Sequence, residues 1–311
     1  MRTIVVVADP FAGLVRGHDS TLALVDEARR RGHEVLATTV ERLSVRDGHT
    51  VAAAAPVADP ATPVRTIGLA DADVVLMRTD PPFDADYLRA TYLLDRCAML
   101  VANAPHGLRE ANEKLFVLRF PGLAPDTVVS ADPAELATAV REWARAVLKP
   151  TDAMAGRGVL LLRPDDANLP AILQTATADG RRHVLVQRFV AGADRRLIVV
   201  DGEPAGAIRR IPAAGDFRAN LATGASAAPD TVTDRDQEIC AVLAPELRRL
   251  GILLAGVDVI DGRVIEVNVT SPTGLCEIEA LTPARPISAV LDRIEHRWHI
   301  PAGCPLLTAR T

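Results

Sequence analysis

The chain has 311 residues, 49% of them hydrophobic and 24% charged, with a formal net charge of -5. That length suits two or three subdomains around sizeable cores, and the acidic balance excludes the basic footprint of a nucleic-acid binder. No stretch reaches the about 18 apolar residues of a membrane span, and Cys97, Cys240, Cys276 and Cys304 lack the spacing of a zinc site or disulfide framework, as expected for reduced thiols in a cytoplasmic protein.

Residues 4–8 form a continuous apolar, largely β-branched run, the pattern of a buried parallel strand. Asp19 and Ser20 cap a helical pattern (Leu22, Leu24, Val25, Ala28) that ends before Gly32. Its Arg29, Arg30 and Arg31 read as a solvated face. Strands follow at 34–40, 74–77 and 99–102, with a helix at 84–97, while 44–66 is rich in small residues and proline and reads as a loop or weak hairpin. Alternating strand and helix predicts an open α/β layer over roughly the first 110 residues.

The middle reads as a small α+β unit. It has strands at 127–129, 147–149, 158–162 and 183–189, helices at 133–145 and 167–178, and a Gly/Ala turn at 152–158. In the last third, Asp201-Gly202 and Asp261-Gly262 turns join strand pairs 195–200/205–211 and 254–260/263–268. A polar loop covers 212–230, and helices fall near 234–250 and 285–297.

Lysine is nearly absent: Lys114 and Lys149 stand against 33 arginines. A compact ammonium and a planar guanidinium are not interchangeable at every site, which marks these two positions. Lys149-Pro150 precedes the glycine-containing turn, where backbone amides could approach phosphate oxygens. An ordinary hairpin with a surface lysine is the alternative. Asp258 lies on one hairpin strand, and Glu266 and Asn268 lie two apart on the next, so the three share a sheet face suited to a hard cation. The alternative is that arginines such as Arg196 or Arg210 neutralise these carboxylates. Arg209, Arg210, Arg218 and Asn220 surround a Gly/Ala loop and suggest a gate over an anionic substrate, or else a solvated loop. Residues 268–273 precede a helical stretch with Glu277 and Glu279; they could bind a carboxylate or simply cap that helix.

Eight segments in order resemble the ATP-grasp superfamily, and within it the bacterial glutathione synthetase family. They are Val7-Ala-Asp-Pro10, Met77-Arg-Thr-Asp-Pro-Pro-Phe-Asp84, Ala111-Asn-Glu-Lys-Leu-Phe116, Leu148-Lys-Pro150, Arg196-Leu-Ile-Val-Val-Asp-Gly-Glu-Pro204, Arg210-Ile-Pro212, Arg218-Ala-Asn-Leu221 and Glu266-Val-Asn-Val-Thr-Ser-Pro-Thr273. The likeness covers nearly the whole chain. It implies an α/β protein of ATP-grasp fold: an N-terminal open parallel-sheet domain (1–121), a central α+β lid (122–190) and a C-terminal catalytic subdomain (191–311). It further implies that Lys114, Lys149 and the flap around Gly156 reach ATP phosphates, that Gln187, Arg188, Phe189 and Val190 line the adenine hinge, and that Asp194 sits near the ribose. Asp258, Glu266 and Asn268 match ligands of magnesium (or manganese). Arg210, Arg218 and Asn220 match the catalytic phosphate and substrate side. Arg78, Arg196, Ser271, Thr273 and Glu277 match peptide contacts.

The implied reaction joins γ-glutamylcysteine to glycine through an acylphosphate, with ATP as co-substrate. The implied partners are small molecules, with no nucleic acid or membrane, in a homo-oligomer (tetramer or dimer). The chain departs from the family at Ala153 and Ala155, where glycines are usual, at Thr79 where lysine is common, and at Gly274 and Cys276 in place of a cysteine and an arginine. These departures keep open a sibling ligase with other substrates, including the ribosomal-protein glutamate-ligase branch. A non-catalytic nucleotide-binding protein is the alternative of another class.

Overall fold

The β-branched run at the N-terminus forms β1 (Thr3–Val7), wholly buried from Ile4 onward in a computed structural model that describes residues 1–57, 62–97, 99–154, 156–221 and 224–298. Ala155, Ala222, Thr223 and Cys304 lie outside the described residues. After β1, Asp19 caps α1 (Ser20–Arg30) by accepting from Leu22 N, and β2 (Glu34–Thr38) returns parallel to β1.

Of the loop or weak hairpin expected over 44–66, the described residues show the hairpin and further strand pairing besides. They contain β3 (Leu43–Arg46), β4 (His49–Pro56) and β5 (Arg65–Gly68), all antiparallel, which extend the sheet beyond β2. The β3–β4 turn is Asp47-Gly48, with φ of 50° and 81°. This is the same turn chemistry that marks the later hairpins, here masked by a strand of alanines with low β propensity. Thr50, Ala52 and Ala54 alternate into the core, so pairing and burial override that propensity. Next come β6 (Val74–Met77), α2 (Ala85–Leu94), β7 (Leu100–Ala102) and α3 (Pro105–Glu110). The first sheet runs β3-β4-β2-β1-β6-β7, with β5 on β4.

The second sheet is antiparallel, β10-β9-β11-β8, from β8 (Thr127–Ser130), β9 (Ala146–Pro150), β10 (Leu160–Leu162) and β11 (Val184–Arg188), with α4 (Pro133–Trp143) and α5 (Leu169–Ala176) against it. The third is β14-β13-β12-β15-β16, from β12 (Asp194–Val200), β13 (Glu203–Ile211), β14 (Ser226–Pro229), β15 (Leu254–Ile260) and β16 (Arg263–Asn268). β14 falls within the expected 212–230 loop, where it pairs with β13. The helices α6 (Asp234–Arg249), α7 (Leu275–Leu281) and α8 (Pro286–Trp298) complete the described chain. Among the described residues no helix is long and apolar enough to cross a membrane.

Three apolar clusters organise these layers. Two are shared by the first and third sheets: Val5, Val75 and Phe116 pack with Leu197 and Val257, and Ile4, Leu24 and Leu76 with Ile198 and Leu291. The second sheet has its own cluster around Leu136, Leu148, Leu162, Leu173 and Val186. The first–third junction is also polar and close. Asn103 Nδ2 donates to Leu254 O and Val269 O, both at 2.7 Å, while its Oδ1 accepts from Leu253 N and Leu254 N. Gly107 on α3 lies against the end of α6, where an added Cβ would sit 2.1 Å from Leu250 O.

Backbone cannot yield there as a side-chain tip can. Gly107→Ala is therefore expected to destabilise the protein by about 1–3 kcal/mol. Gly13→Ala, with nothing within 4 Å of its Cβ, should change stability by no more than about 0.5 kcal/mol. Denaturant unfolding of the two variants checks this; equal midpoints would refute the close-approach reading.

Candidate active site

A cavity of about 500 Å³ lies between the second and third sheets. Lys149, at the end of β9, is buried on its wall, and its Nζ donates to Gln187 Oε1 at 2.9 Å across the β9–β11 pair. Burial pulls the Lys149 ammonium below its ordinary range, and the Glu266 carboxylate works against that shift. The loop after α3 delivers Lys114, also buried; its Nζ donates to Ala153 O in the 152–158 turn. Arg218 Nη1 donates to Gly156 O at 3.0 Å, and Asn112 Nδ2 to Thr151 O at 3.1 Å, so the turn is pinned by polar contacts along its length. Gly156 has φ 72°, and a Cβ there would meet Asn220 Oδ1 at 2.7 Å. The far wall is the end of β11, where Gln187, Arg188, Phe189 and Val190 all line the cavity. The Arg145 guanidinium stacks 3.8 Å from the Phe189 ring centroid and fixes that aromatic.

The third sheet supplies the floor. Its register sets Asp194 opposite Arg210, Arg196 opposite Asp258, and Asp258 opposite Glu266. Arg196 grips Asp258 with Nε to Oδ1 at 2.5 Å and Nη2 to Oδ2 at 3.2 Å. Arg210 Nη2 reaches Asp258 Oδ2 at 2.9 Å and Asp194 Oδ1 at 2.5 Å. Gly256 makes room for this packing, since a Cβ would lie 2.7 Å from Arg196 Nη1. Burial alone would raise the Asp258 carboxyl; Arg196 and Arg210 overcome it and hold the group at about 2. The arginine pairing weighed from the sequence is thus present at Asp258.

Glu266 differs. Burial and then Asp258 push its carboxyl upward, and the opposing cations are Lys114 and Lys149 across the cavity. Asn268, two residues along the same strand face, donates through Nδ2 to Gly256 O at 3.2 Å and to Asp258 Oδ2 at 3.5 Å. Among the described residues no three His, Cys, Asp or Glu gather to hold a metal. The donor set is two carboxylates and an amide, which fits magnesium, an ion that takes one or two carboxylates and fills its remaining positions with phosphate and water.

Arg218 and Asn220 line the cavity from the loop after β13, where Arg218 is paired to Asp216 at 2.7 Å. Arg196, Ser271 and Thr273 also line it. Two expected peptide contacts do not. Arg78 is buried beneath the wall, donating to Thr21 Oγ1 at 3.1 Å and Pro272 O at 3.2 Å. Glu277, on α7, faces His18 at 3.7 Å. Both are drawn off by the packing of α1 against the 271–277 segment, which no local pattern encodes. Thr79, Gly274 and Cys276 also stay off the cavity wall: Thr79 Oγ1 donates to Val7 O at 3.4 Å, Cys276 Sγ to Asp19 O at 3.5 Å, and Gly274 abuts the Arg196 side chain. Glu113, Asp80 and Met154, which the sequence did not single out as site residues, also line the cavity, as does Thr270 of the 268–273 segment. Asp80, Glu113 and Thr270 lie in segments that carry the family resemblance and Met154 in the 152–158 turn, and Glu113 also stands beside a rare lysine.

Solved structures share this fold: D-cycloserine synthetase DcsG (TM-score 0.67, 19% identity, 94% of this chain and 99% of that one) and the ATP-grasp ligase PsnB with a minimal precursor (TM-score 0.65, 18% identity, 96% and 100%). The fold is that of the ATP-grasp ligases. The profile of the prokaryotic glutathione synthetase N-terminal domain matches residues 1–109, and that of the family's ATP-grasp domain matches residues 113–283. Glutathione synthetases of Synechocystis sp. (41% identity; 94% of this chain, 98% of that protein), Synechococcus elongatus (42%; 88% and 92%) and Vibrio vulnificus (38%; 94% and 97%) are similar over nearly their full lengths. The chain belongs to the prokaryotic glutathione synthetase family, and it is an ATP-dependent ligase.

Removing the Asp258 carboxylate would leave Arg196 and Arg210 buried with Asp194 as their shared counter-charge. Asp258→Ala is expected to cost about 3–5 kcal/mol of stability. Glu266→Gln removes a carboxylate that folding disfavours and should leave stability unchanged or raised. Chemical denaturation separates them; equal losses would show that the two acids are not differently paired.

Proposed function

We propose that the chain joins the C-terminal carboxylate of γ-glutamylcysteine to the amine of glycine, forming glutathione with release of ADP and phosphate. The observation that supports this reading best is that both lysines of the chain are buried on the lining of the cavity that also holds Glu266, whose carboxyl they offset. Isolated ammoniums are costly to bury unless an anion is to be met there. Lys114 and Lys149 take the nucleotide phosphates, with the 152–158 turn closing over them. Gln187, Arg188, Phe189 and Val190 hold the adenine along the exposed backbone at the end of β11, and Asp194 lies toward the ribose.

Magnesium or manganese, held by Glu266 and Asn268 with Asp258 facing the same ion, would neutralise phosphate oxygens. Arg210, fixed by Asp194 and Asp258, and Arg218 with Asn220 on the loop stabilise charge on the transferring phosphoryl group and the acylphosphate. Ser271, Thr273 and Arg196 border the peptide. Arg78 acts on it through Pro272, whose carbonyl it holds, and Glu277 through α7, where it faces His18. Closure of turn and loop excludes water, which would otherwise hydrolyse the acylphosphate. The lid and catalytic units of this reading are residues 122–190 and 191–311, following a 1–121 domain. The setting is cytoplasmic, where thiols such as Cys240 persist.

With ATP, magnesium, γ-glutamylcysteine and glycine together, ADP and glutathione should appear by mass spectrometry, and omission of either amino substrate should stop both. ADP formed only with other carboxylates or amines would assign a sibling ligase; none with any pair would leave a nucleotide-binding protein. Lys149→Arg keeps the charge but cannot place a point donor beside Gln187, so kcat should fall by about 10²–10³-fold. An unchanged kcat would refute the point-charge role.

A further inference from the structure

The strand carrying Glu266 and Asn268 ends at Asn268, and the next two amides leave the β15–β16 ladder. Buried amides beyond a ladder need another acceptor. Glu113 provides it. Its Oε1 accepts from Val269 N at 2.8 Å, Thr270 N at 3.0 Å and Thr270 Oγ1 at 2.9 Å. On the other side of Asn268, the backbone carbonyl of Glu113 accepts from Val267 N at 3.0 Å. One residue therefore grips the chain immediately before and after Asn268. The Val269 carbonyl is held from another element, by Asn103 Nδ2. Glu113 is 4% exposed, lines the cavity, and is covalently next to Lys114.

We infer that Glu113 is a positioning residue for the ligation: it locks the direction of Asn268 and the spacing between the metal-facing strand and Lys114 into one rigid joint. This rests on the metal reading above. A carboxylate that holds ligand-bearing backbone acts on the metal through that backbone, as the outer partners of metal ligands generally do. An alternative role, in which Glu113 attracts the cation through its charge, gives a different answer when the charge alone is removed.

The test is Mn²⁺ binding to the full chain with a non-hydrolysable ATP analogue, followed by electron paramagnetic resonance. Glu113→Ala strips the joint of its acceptor and should weaken Mn²⁺ affinity about tenfold or more. Glu113→Gln keeps an oxygen in the same place and should stay within about twofold of the parent, while Thr270→Val, losing one of three bonds, should weaken binding by about two- to threefold. Loss with Gln as large as with Ala would show that charge matters and overturn the positioning role. Parent-like binding by both Ala and Val variants would also overturn it. Should Glu113→Ala fail to fold, parent-like binding by Thr270→Val overturns it. Glu266→Gln is run beside them: if it binds Mn²⁺ like the parent, the metal reading fails and this inference falls with it. If it loses Mn²⁺ while Glu113→Ala does not, only the inference is refuted.

Discussion

Asp258 lies buried between two arginines, and that pairing decides the charge presented to the cavity. Asp194, Arg196, Arg210 and Asp258 form a neutral quartet on one face of three adjacent strands. Each member would be costly alone at that depth; together they satisfy one another within the sheet. Glu266 stands one strand further out, where its counter-charges come from Lys114 and Lys149. Those lysines belong to different parts of the chain, one on the loop after α3 and one on the second sheet. The balance of Glu266 thus links units that share little apolar surface.

The apolar cores reinforce the same division. The first and third sheets share two clusters, so their relation is set by packing. The second sheet keeps its own. What reaches across to the 152–158 turn is polar: Lys114 to Ala153 O, Asn112 to Thr151 O and Arg218 to Gly156 O. Contacts of this kind can be exchanged for phosphate oxygens without opening a core. Exposing a packed apolar interface instead would cost about 25 cal/mol per Å².

The departures from the family pattern take on a different weight in three dimensions. Thr79, Gly274 and Cys276 all lie off the cavity lining: Thr79 meets Val7 O at the end of β1, Cys276 meets Asp19 O at the start of α1, and Gly274 precedes α7. Gly274 has φ 109°, a backbone conformation that favours glycine, and it abuts Arg196, a member of the quartet.

Much of the site was legible in the sequence because it rests on local periodicities. Glu266 and Asn268 share a face by strand alternation, the Asp261-Gly262 turn returns them to Asp258, and a chain nearly free of lysine marks Lys114 and Lys149 as exceptions. At 43–56 the sequence suggested no more than a loop or weak hairpin, because alanines carry little strand propensity and pairing with β2 and β5 is what makes these strands part of a sheet. Residue identity and spacing also could not choose between a cation and an arginine as the partner of Asp258. That choice depends on which strand lies on its other side, and β12 supplies Arg196 there from 62 residues away. Nor could they show that Arg78 and Glu277 turn aside into the α1 junction while Glu113 reaches Val269 and Thr270 from more than 150 positions earlier. The local sequence determined which side chains share a face; the packing of separate elements decided what each of those faces meets, because burial and charge balance are settled by neighbours distant along the chain.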